Sequence, residues 1–293
     1  MNIGFDAKRV FHNTTGLGNY GRDLVRIINE SFPENKFLLY NPKPKKINRF
    51  QFTEQTLEVL PKSKFWKNFW SIWRQGPIVT QLKDDNIDVF HGLSGEIPRG
   101  LKDANIKSIV TIHDLIFIRF PELYSFFDRR IHYNKFLYAA KNADKIVAIS
   151  EQTKNDIVDF LKIDEEKIEV IYQSCHDVFK ASQSEVFKKE VLKKYNLPSK
   201  FILNVGRIEK RKNALSIIKA IKNIDIPLVI VGNKKTYFKE VETYIATNNL
   251  EHRIFFLEGL SLEELAALYK LSTIFIYPSL FEGFGIPIIE ALY

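Results

Sequence analysis

In the segment SLFEGFGIPIIEALY, Glu282 and Glu290 stand with seven residues between them, and Gly283, Phe284 and Gly285 occupy the start of that interval. The segment follows the apolar run TIFIYPS, so Glu282 belongs in a loop at a strand's carboxyl end and Glu290 on the helix that comes next. Pro287 suits a first helical turn because it has no N–H to lose there, and Gly283 and Gly285 let a ligand approach the backbone. Unpaired N–H groups at such a helix start, together with the helix dipole, attract an anion. Two carboxylates beside that place grip hydroxyl groups of a sugar or a ribose through charge-assisted hydrogen bonds. A capped surface helix carrying ordinary acids has the same spacing.

The segment NVGRIEKRKN also follows an apolar run and sets Arg207 and Lys212 after a glycine turn. A fixed guanidinium and a mobile ammonium aimed at one point suit a diphosphate leaving group, on which negative charge builds as a glycosidic bond breaks. Lys210 and Arg211, between them, read as a solvated basic run. Near the start, TTGLGNYGRD carries Gly16, Gly18 and Gly21. As a dinucleotide fingerprint this fails, because it begins well past the preceding strand and the next one, KFLLYN, closes on Asn41 rather than on an acid for the ribose. A glycine loop facing a cleft fits better. His113, with Asp114, ends SIVTIHD, and His91 ends VFHG, which puts both histidines at a loop edge. A lone histidine there is usually structural, and for His113 a site role stands beside that reading.

The elements that must position these residues follow from periodicity. Short apolar runs (NIGFD, KFLLYN, VFHG, SIVTIHD, KIVAIS, IEVIYQ) alternate with stretches of helical spacing, and the pattern restarts with KFILNVG, PLVIVG, RIFFLEG and TIFIYPS. Runs apolar throughout predict parallel strands covered by helices on both faces, an α/β fold of two Rossmann-like domains. The polar stretch from Ser174 to Lys200 separates the two series, with the junction expected near Ser182, giving domains of residues 1–182 and 183–293. Two such sheets present loop-rich carboxyl edges, and a ligand cleft between the domains follows. The chain stops about two turns into the helix begun by PIIEALY, so a truncated second domain is expected.

The composition narrows the classes. Hydrophobic residues make up 45% of the 293 and charged ones 27%, a balance that excludes disordered and collagen-like chains. Cys175 is the sole cysteine, which rules out an intrachain disulfide and a cysteine metal cluster. The net charge of +8 favours anionic partners. The aromatic residues fall mostly in apolar runs that a core needs, which argues against nucleic acid. No apolar run approaches the roughly 18 residues of a membrane-spanning helix, and the N-terminus lacks a signal-peptide layout, so a cytoplasmic protein is expected. KFWKNFWSIWR spaces Trp66, Trp70 and Trp73 at helical intervals beside Phe65, Phe69 and Ile72. Most of this helix is expected to pack on the core, with peripheral contact to an anionic membrane as the alternative.

Taken together, these segments resemble the retaining glycosyltransferases of family 4, which have the GT-B fold of two Rossmann-like domains facing a cleft. The resemblance runs along essentially the whole chain, through TGLGNYGRDL, TIHDLIFIRFPE, ADKIVAISEQTKNDI, VGRIEKRKN and, most specifically, EGFGIPIIE. It implies transfer of a hexose from a nucleotide-diphosphate sugar to a glycan or lipid-linked acceptor, without metal or cofactor, at the inner face of the membrane. By the same resemblance Glu282 meets the donor sugar's hydroxyls and Glu290 the ribose. Arg207 and Lys212 hold the diphosphate, His113 lies beside the transferred sugar, and Gly16 and Gly18 belong to a loop that closes over the reacting centre. Gly283, Phe284 and Gly285 complete the donor-binding segment. TIHDLIFIRFPELY is most similar to mannosyltransferases of surface polysaccharide assembly, which makes GDP-mannose the first donor to test and a UDP-sugar the second. The alternatives are a non-catalytic nucleotide or sugar-binding fragment, and a sugar-nucleotide epimerase or phosphorylase of the same fold.

Overall fold

Runs such as LVIV have no polar face to offer water, so they are stable only where helices cover both sides of a sheet. The computed structural model, which describes residues 1–44 and 48–293, bears this out with two sheets whose every pairing is parallel. The first contains β1 (Asn2–Asp6), β2 (Lys36–Tyr40), β3 (Thr56–Val59), β4 (Val89–Gly92), β5 (Lys107–Ile112), β6 (Lys145–Ala148) and β7 (Ile168–Val170), in the order β3-β2-β1-β4-β5-β6-β7. The second contains β8 (Ile202–Val205), β9 (Leu228–Val231), β10 (Ile254–Leu257) and β11 (Ile274–Phe275), in the order β10-β9-β8-β11. The α/β expectation holds. One strand, β3, has no counterpart in the predicted series: it is short, lies at the sheet's edge and carries Glu58 mid-run, so its apolar signal is weak.

Side chains alternate across each sheet with period two. Leu38 and Tyr40 of β2 join Phe90, Val110, Ile112 and Ile146 on one face, while Phe37 and Leu39 join Phe5, Val10, Phe11 and Val25 on the other. In the second sheet, Leu228 and Ile230 pack with Ile202, Ile218 and Val241, and Val229 and Val231 pack with Phe201, Leu203 and Leu268. Burying such side chains is the main favourable term for each unit.

The chain divides into Met1–Gln173 and Ser174–Tyr293. This division lies ahead of the junction expected near Ser182, because Cys175 and Phe179 are buried in the second unit's core beside Val191, Phe201 and Leu268. A polar stretch thus hides two anchoring side chains. In each sheet the strand order reverses direction once, between β1 and β4 in the first and between β8 and β11 in the second. Ligands of open parallel sheets bind at the carboxyl edge beside such a reversal.

The tryptophan segment differs from its sequence reading. It forms two short helices, Lys64–Asn68 and Trp70–Trp73, broken at Phe69 (φ −102°, ψ 38°). The break turns the apolar residues out of one stripe. Trp73 is buried and Trp66 leans on the first core, but Phe65, Phe69 and Ile72 are exposed, so the expected core packing of that second stripe is corrected. Among the described residues no helix is long and apolar enough to cross a membrane.

Candidate functional site

In the second unit, the loops after β8 and β11 flank the reversal of strand order and meet. The chain leaves β8 through Gly206 and Arg207 into a 3-10 turn, Lys210–Lys212, which Asn213 closes in the left-handed region (φ 58°) before the helix Ala214–Ala220. Leu280 N–H, in the loop after β11, donates to the Arg211 carbonyl at 2.9 Å and ties the two loops together. Across this contact the Lys212 ammonium donates to Glu282 Oε1 at 2.6 Å and to the Tyr277 hydroxyl at 2.8 Å, and it lies 5.1 Å from the Tyr277 ring centroid. Arg211 also pairs with Glu282 Oε1, at 3.0 Å, and with Glu209, at 2.9 Å.

These neighbours set the charges. Burial alone would push the Glu282 carboxyl up, but the Lys212 ammonium and the Arg211 guanidinium outweigh it and hold the carboxyl below the ordinary carboxylate range. Burial pushes the Lys212 ammonium down, aided by Arg211 and opposed by Glu282. Among the described residues no cation pairs with Glu290. It lies on the helix Ile286–Leu292, capped by Gly285 at φ 93°, a conformation that favours glycine, with Pro287 in the first turn. Its carboxylate accepts from the Tyr269 hydroxyl at 2.8 Å, and burial pushes its pKa up to about 7 despite that bond.

In the first unit, Gly16, Gly18 and Gly21 do not form a loop. They belong to the helix Gly16–Ser31. Asn13 Oδ1 accepts from Thr15 N–H at 2.8 Å and Gly18 N–H at 3.2 Å, and a Cβ on Gly18 would meet the Asn13 carbonyl oxygen at 1.9 Å. Gly18 is therefore needed for a close backbone approach, whereas a Cβ on Gly16 meets nothing within 4 Å. The reading of these glycines as a loop is corrected: residues 16–31 are helical, and the Asn13 side-chain oxygen satisfies the otherwise orphaned first-turn N–H of Gly18. The buried Arg22 reinforces this turn, donating to the carbonyls of Val10 and Asn13.

His113 follows β5 and is buried, with Nε2–H donating to the Leu93 carbonyl at 2.9 Å and Nδ1 accepting from the Gln173 amide at 3.2 Å. Burial holds its pKa down at about 4, so the ring is neutral. His91, in β4, is likewise buried and held at about 4, sharing a hydrogen bond with Thr111 Oγ1 at 2.8 Å. Tyr20 bonds the same hydroxyl and packs edge-on against His113. At the end of β1 the Asp6 carboxylate is gripped by Arg74, which also pairs with Glu96 at 3.7 Å.

The two halves of the chain match two family descriptions: Glycosyltransferase Family 4 over residues 37–174 and Glycosyl transferases group 1 over residues 187–293. The chain belongs to the family 4, group 1 glycosyltransferases. It is 29% identical over 224 residues to the serotype-specific mannosyltransferase WbdA of Escherichia coli, covering 70% of this chain but only 27% of that relative's length. With the O-antigen chain mannosyltransferase B of Escherichia coli it shares 24% identity over 318 residues, covering 100% of this chain and 80% of the other. Its fold matches that of the sucrose-phosphate synthase of Thermosynechococcus elongatus with a TM-score of 0.77 at 18% identity, over 100% of this chain and 79% of that one.

Of the residues singled out in this family 4 chain, the structure brings Lys212 and Glu282 into direct contact and places Arg207 on the same loop as Lys212, exposed. Gly283, Phe284 and Gly285 connect Glu282 to the helix that carries Glu290. Arg211, read as solvated, is instead paired with Glu282, because the β11 loop folds over it; Lys210 is exposed. Tyr277 and Tyr269 were not singled out. Tyr277 had a legible signal, a hydroxyl at a strand's carboxyl end, whereas Tyr269 lies inside the helix Leu262–Leu271 and has none.

Proposed function

We propose that this chain is a retaining glycosyltransferase that moves a hexose, mannose in the first instance, from a nucleotide-diphosphate sugar to a glycan or lipid-linked acceptor in surface polysaccharide assembly. The observation that carries the reading is the joining of Lys212 and Arg211 to Glu282 across the strand reversal of the second sheet. A carboxylate kept ionised there accepts from sugar hydroxyls, and the cations beside it face the charge that develops on a departing diphosphate. The relatives that are mannosyltransferases favour mannose, with GDP as carrier and UDP as the second choice.

In this reading the bond from the anomeric carbon to the diphosphate oxygen breaks, and the acceptor hydroxyl attacks the face that the diphosphate leaves, passing its proton to the departing oxygen. Lys212 and Arg207 stabilise the leaving charge, Glu282 orients the sugar, and Glu290 holds the ribose. His113 is assigned a positioning role rather than proton transfer, since both of its ring nitrogens are engaged and the ring is neutral. Preorganised charge and orientation then supply the catalysis.

The test is calorimetric titration of GDP, UDP and ADP, followed by turnover of the nucleotide sugar whose base binds. Selective binding that weakens at least about tenfold in Arg207→Ala and Lys212→Ala is expected, as for loss of a charged hydrogen bond. A product whose anomeric configuration is inverted, by NMR of the glycoside, would sink the retaining mechanism.

A further inference from the structure

The carboxyl edge of the first sheet holds a second concentration of charge, beside the reversal between β1 and β4. Lys8 follows β1, Lys43 follows β2, and Trp70 comes from the segment after β3. The ammonium groups of Lys8 and Lys43 each lie 5.3 Å from the Trp70 ring centroid, within the range of a cation–π contact. Two cations from the segments that follow different strands thus share one indole. Neither has a carboxylate within 4 Å among the described residues. The neighbouring acids are already taken: Asp6 by Arg74, and Glu96 by Arg74 at 3.7 Å and Lys135 at 3.3 Å.

The lysines are not loosely placed. Asn41 is fully buried at the end of β2, where its Oδ1 accepts from His12 Nε2 at 2.8 Å and from Lys43 N–H at 3.4 Å, and its amide donates to Glu58 at 2.6 Å. The chain is thereby fixed where Lys43 leaves the strand. Lys8 is half-buried, its backbone N–H donating to Asp6 at 3.2 Å. Burial, Arg74 and Arg9 push its ammonium down and together outweigh Glu96 and Asp6, which act the other way, so an arriving anion stabilises its charge.

We propose that Lys8 and Lys43, held over Trp70 at the carboxyl edge of the first sheet, form a binding site for a phosphate or diphosphate group carried by the acceptor. Two ammonium groups match an anion of two charges, which such a group supplies and a lone carboxylate does not. The word acceptor rests on the transferase reading; the anion site stands without it. The same phosphate chemistry reaches the site either on a soluble sugar phosphate or on a lipid-linked diphosphate.

The experiment is lysine-acetylation footprinting of the full chain by mass spectrometry, with and without inorganic pyrophosphate. Labelling of Lys8 and Lys43 is expected to fall severalfold, while Lys36, exposed at the opposite end of β2, keeps its labelling. In an Arg207→Ala background, which weakens the second unit's site, Lys8→Ala and Lys43→Ala are each expected to lower pyrophosphate affinity about tenfold. Undiminished labelling of both lysines at saturating pyrophosphate overturns the proposal. Geranyl diphosphate and mannose 1-phosphate then separate the sources: stronger protection by the first assigns a lipid-linked acceptor, and by the second a soluble one. Protection by neither overturns the acceptor assignment. Protection in a chain that turns over no nucleotide sugar keeps the anion site and removes the transferase reading.

Discussion

Glu290→Gln isolates the charge state of one carboxyl. Burial raises its pKa from an ordinary 4.5 to about 7, so the folded protein holds this proton more tightly than the unfolded chain does. A group whose folded pKa is raised contributes stability that is fully present below the unfolded value and is lost as pH rises through the folded one. At 1.36 kcal/mol per pKa unit, the contribution falls by about 2.5 kcal/mol between pH 5 and pH 8. The buried histidines His91 and His113 act in the opposite sense, since their pKa values are lowered and their contribution is lost as pH falls below about 6.5. Both histidines are in the first unit and are unchanged by the substitution, so the difference between wild type and variant cancels them. Gln keeps an acceptor for the Tyr269 hydroxyl, which limits the change to the titration itself. The assay is urea unfolding followed in the second unit, at several pH values from 5 to 8. The variant is expected to gain on wild type steadily as pH rises; a stability difference that stays flat would refute the assignment of a near-neutral pKa to Glu290.

Gly18→Ala forces a Cβ into the Asn13 carbonyl and is expected to cost about 3 kcal/mol, whereas Gly16→Ala is expected to be neutral or stabilising by up to about 1 kcal/mol, both read from thermal melts. Trp73→Ala empties a fully buried position and should cost about 3–5 kcal/mol, while Phe65→Ala, on the exposed side of the same segment, should stay within about 0.5 kcal/mol. Glu282→Gln releases Lys212 from its ion pair, so nucleoside diphosphate affinity by calorimetry should rise by about fivefold while sugar transfer falls at least about a hundredfold. Under the proposed roles, nucleotide binding near pH 6 should release protons as Glu290 ionises to meet the ribose; equal calorimetric heats in buffers of different ionisation enthalpy would contradict this.

Most strands were legible because parallel strands buried on both faces are written as unbroken apolar runs, as LVIV is. β3 was not, because an edge strand with Glu58 at its centre carries neither a clean run nor a clean alternation. Gly16, Gly18 and Gly21 misled for a physical reason: glycine signals close approach as readily as it signals a loop, and only the 1.9 Å gap to the Asn13 oxygen tells which. Arg211 was misread because adjacent residues of a 3-10 turn point apart, and which of Lys210 and Arg211 meets Glu282 depends on how the β11 loop folds back. The exposure of Phe65, Phe69 and Ile72 depends on a break at Phe69 that no helix-breaking residue announces.

Glu282 and Glu290 are of one residue type, in one short segment, yet they take opposite charge states just below neutral pH. The cause is what each neighbouring element delivers. The turn after β8 brings two cations to Glu282, while the helix Leu262–Leu271 brings only a tyrosine hydroxyl to Glu290. Environments that drive two like groups apart assign them different work. Glu282, its carboxyl held below the ordinary range by Lys212 and Arg211, remains an acceptor to lower pH than an unpaired glutamate does. Glu290 becomes a full acceptor only as it loses its proton. While Glu290 is neutral, the β8–β11 edge carries Arg207, Lys210, Arg211 and Lys212 against Glu209 and Glu282, a balance in favour of positive charge that draws a diphosphate toward the loop where Lys212 is held.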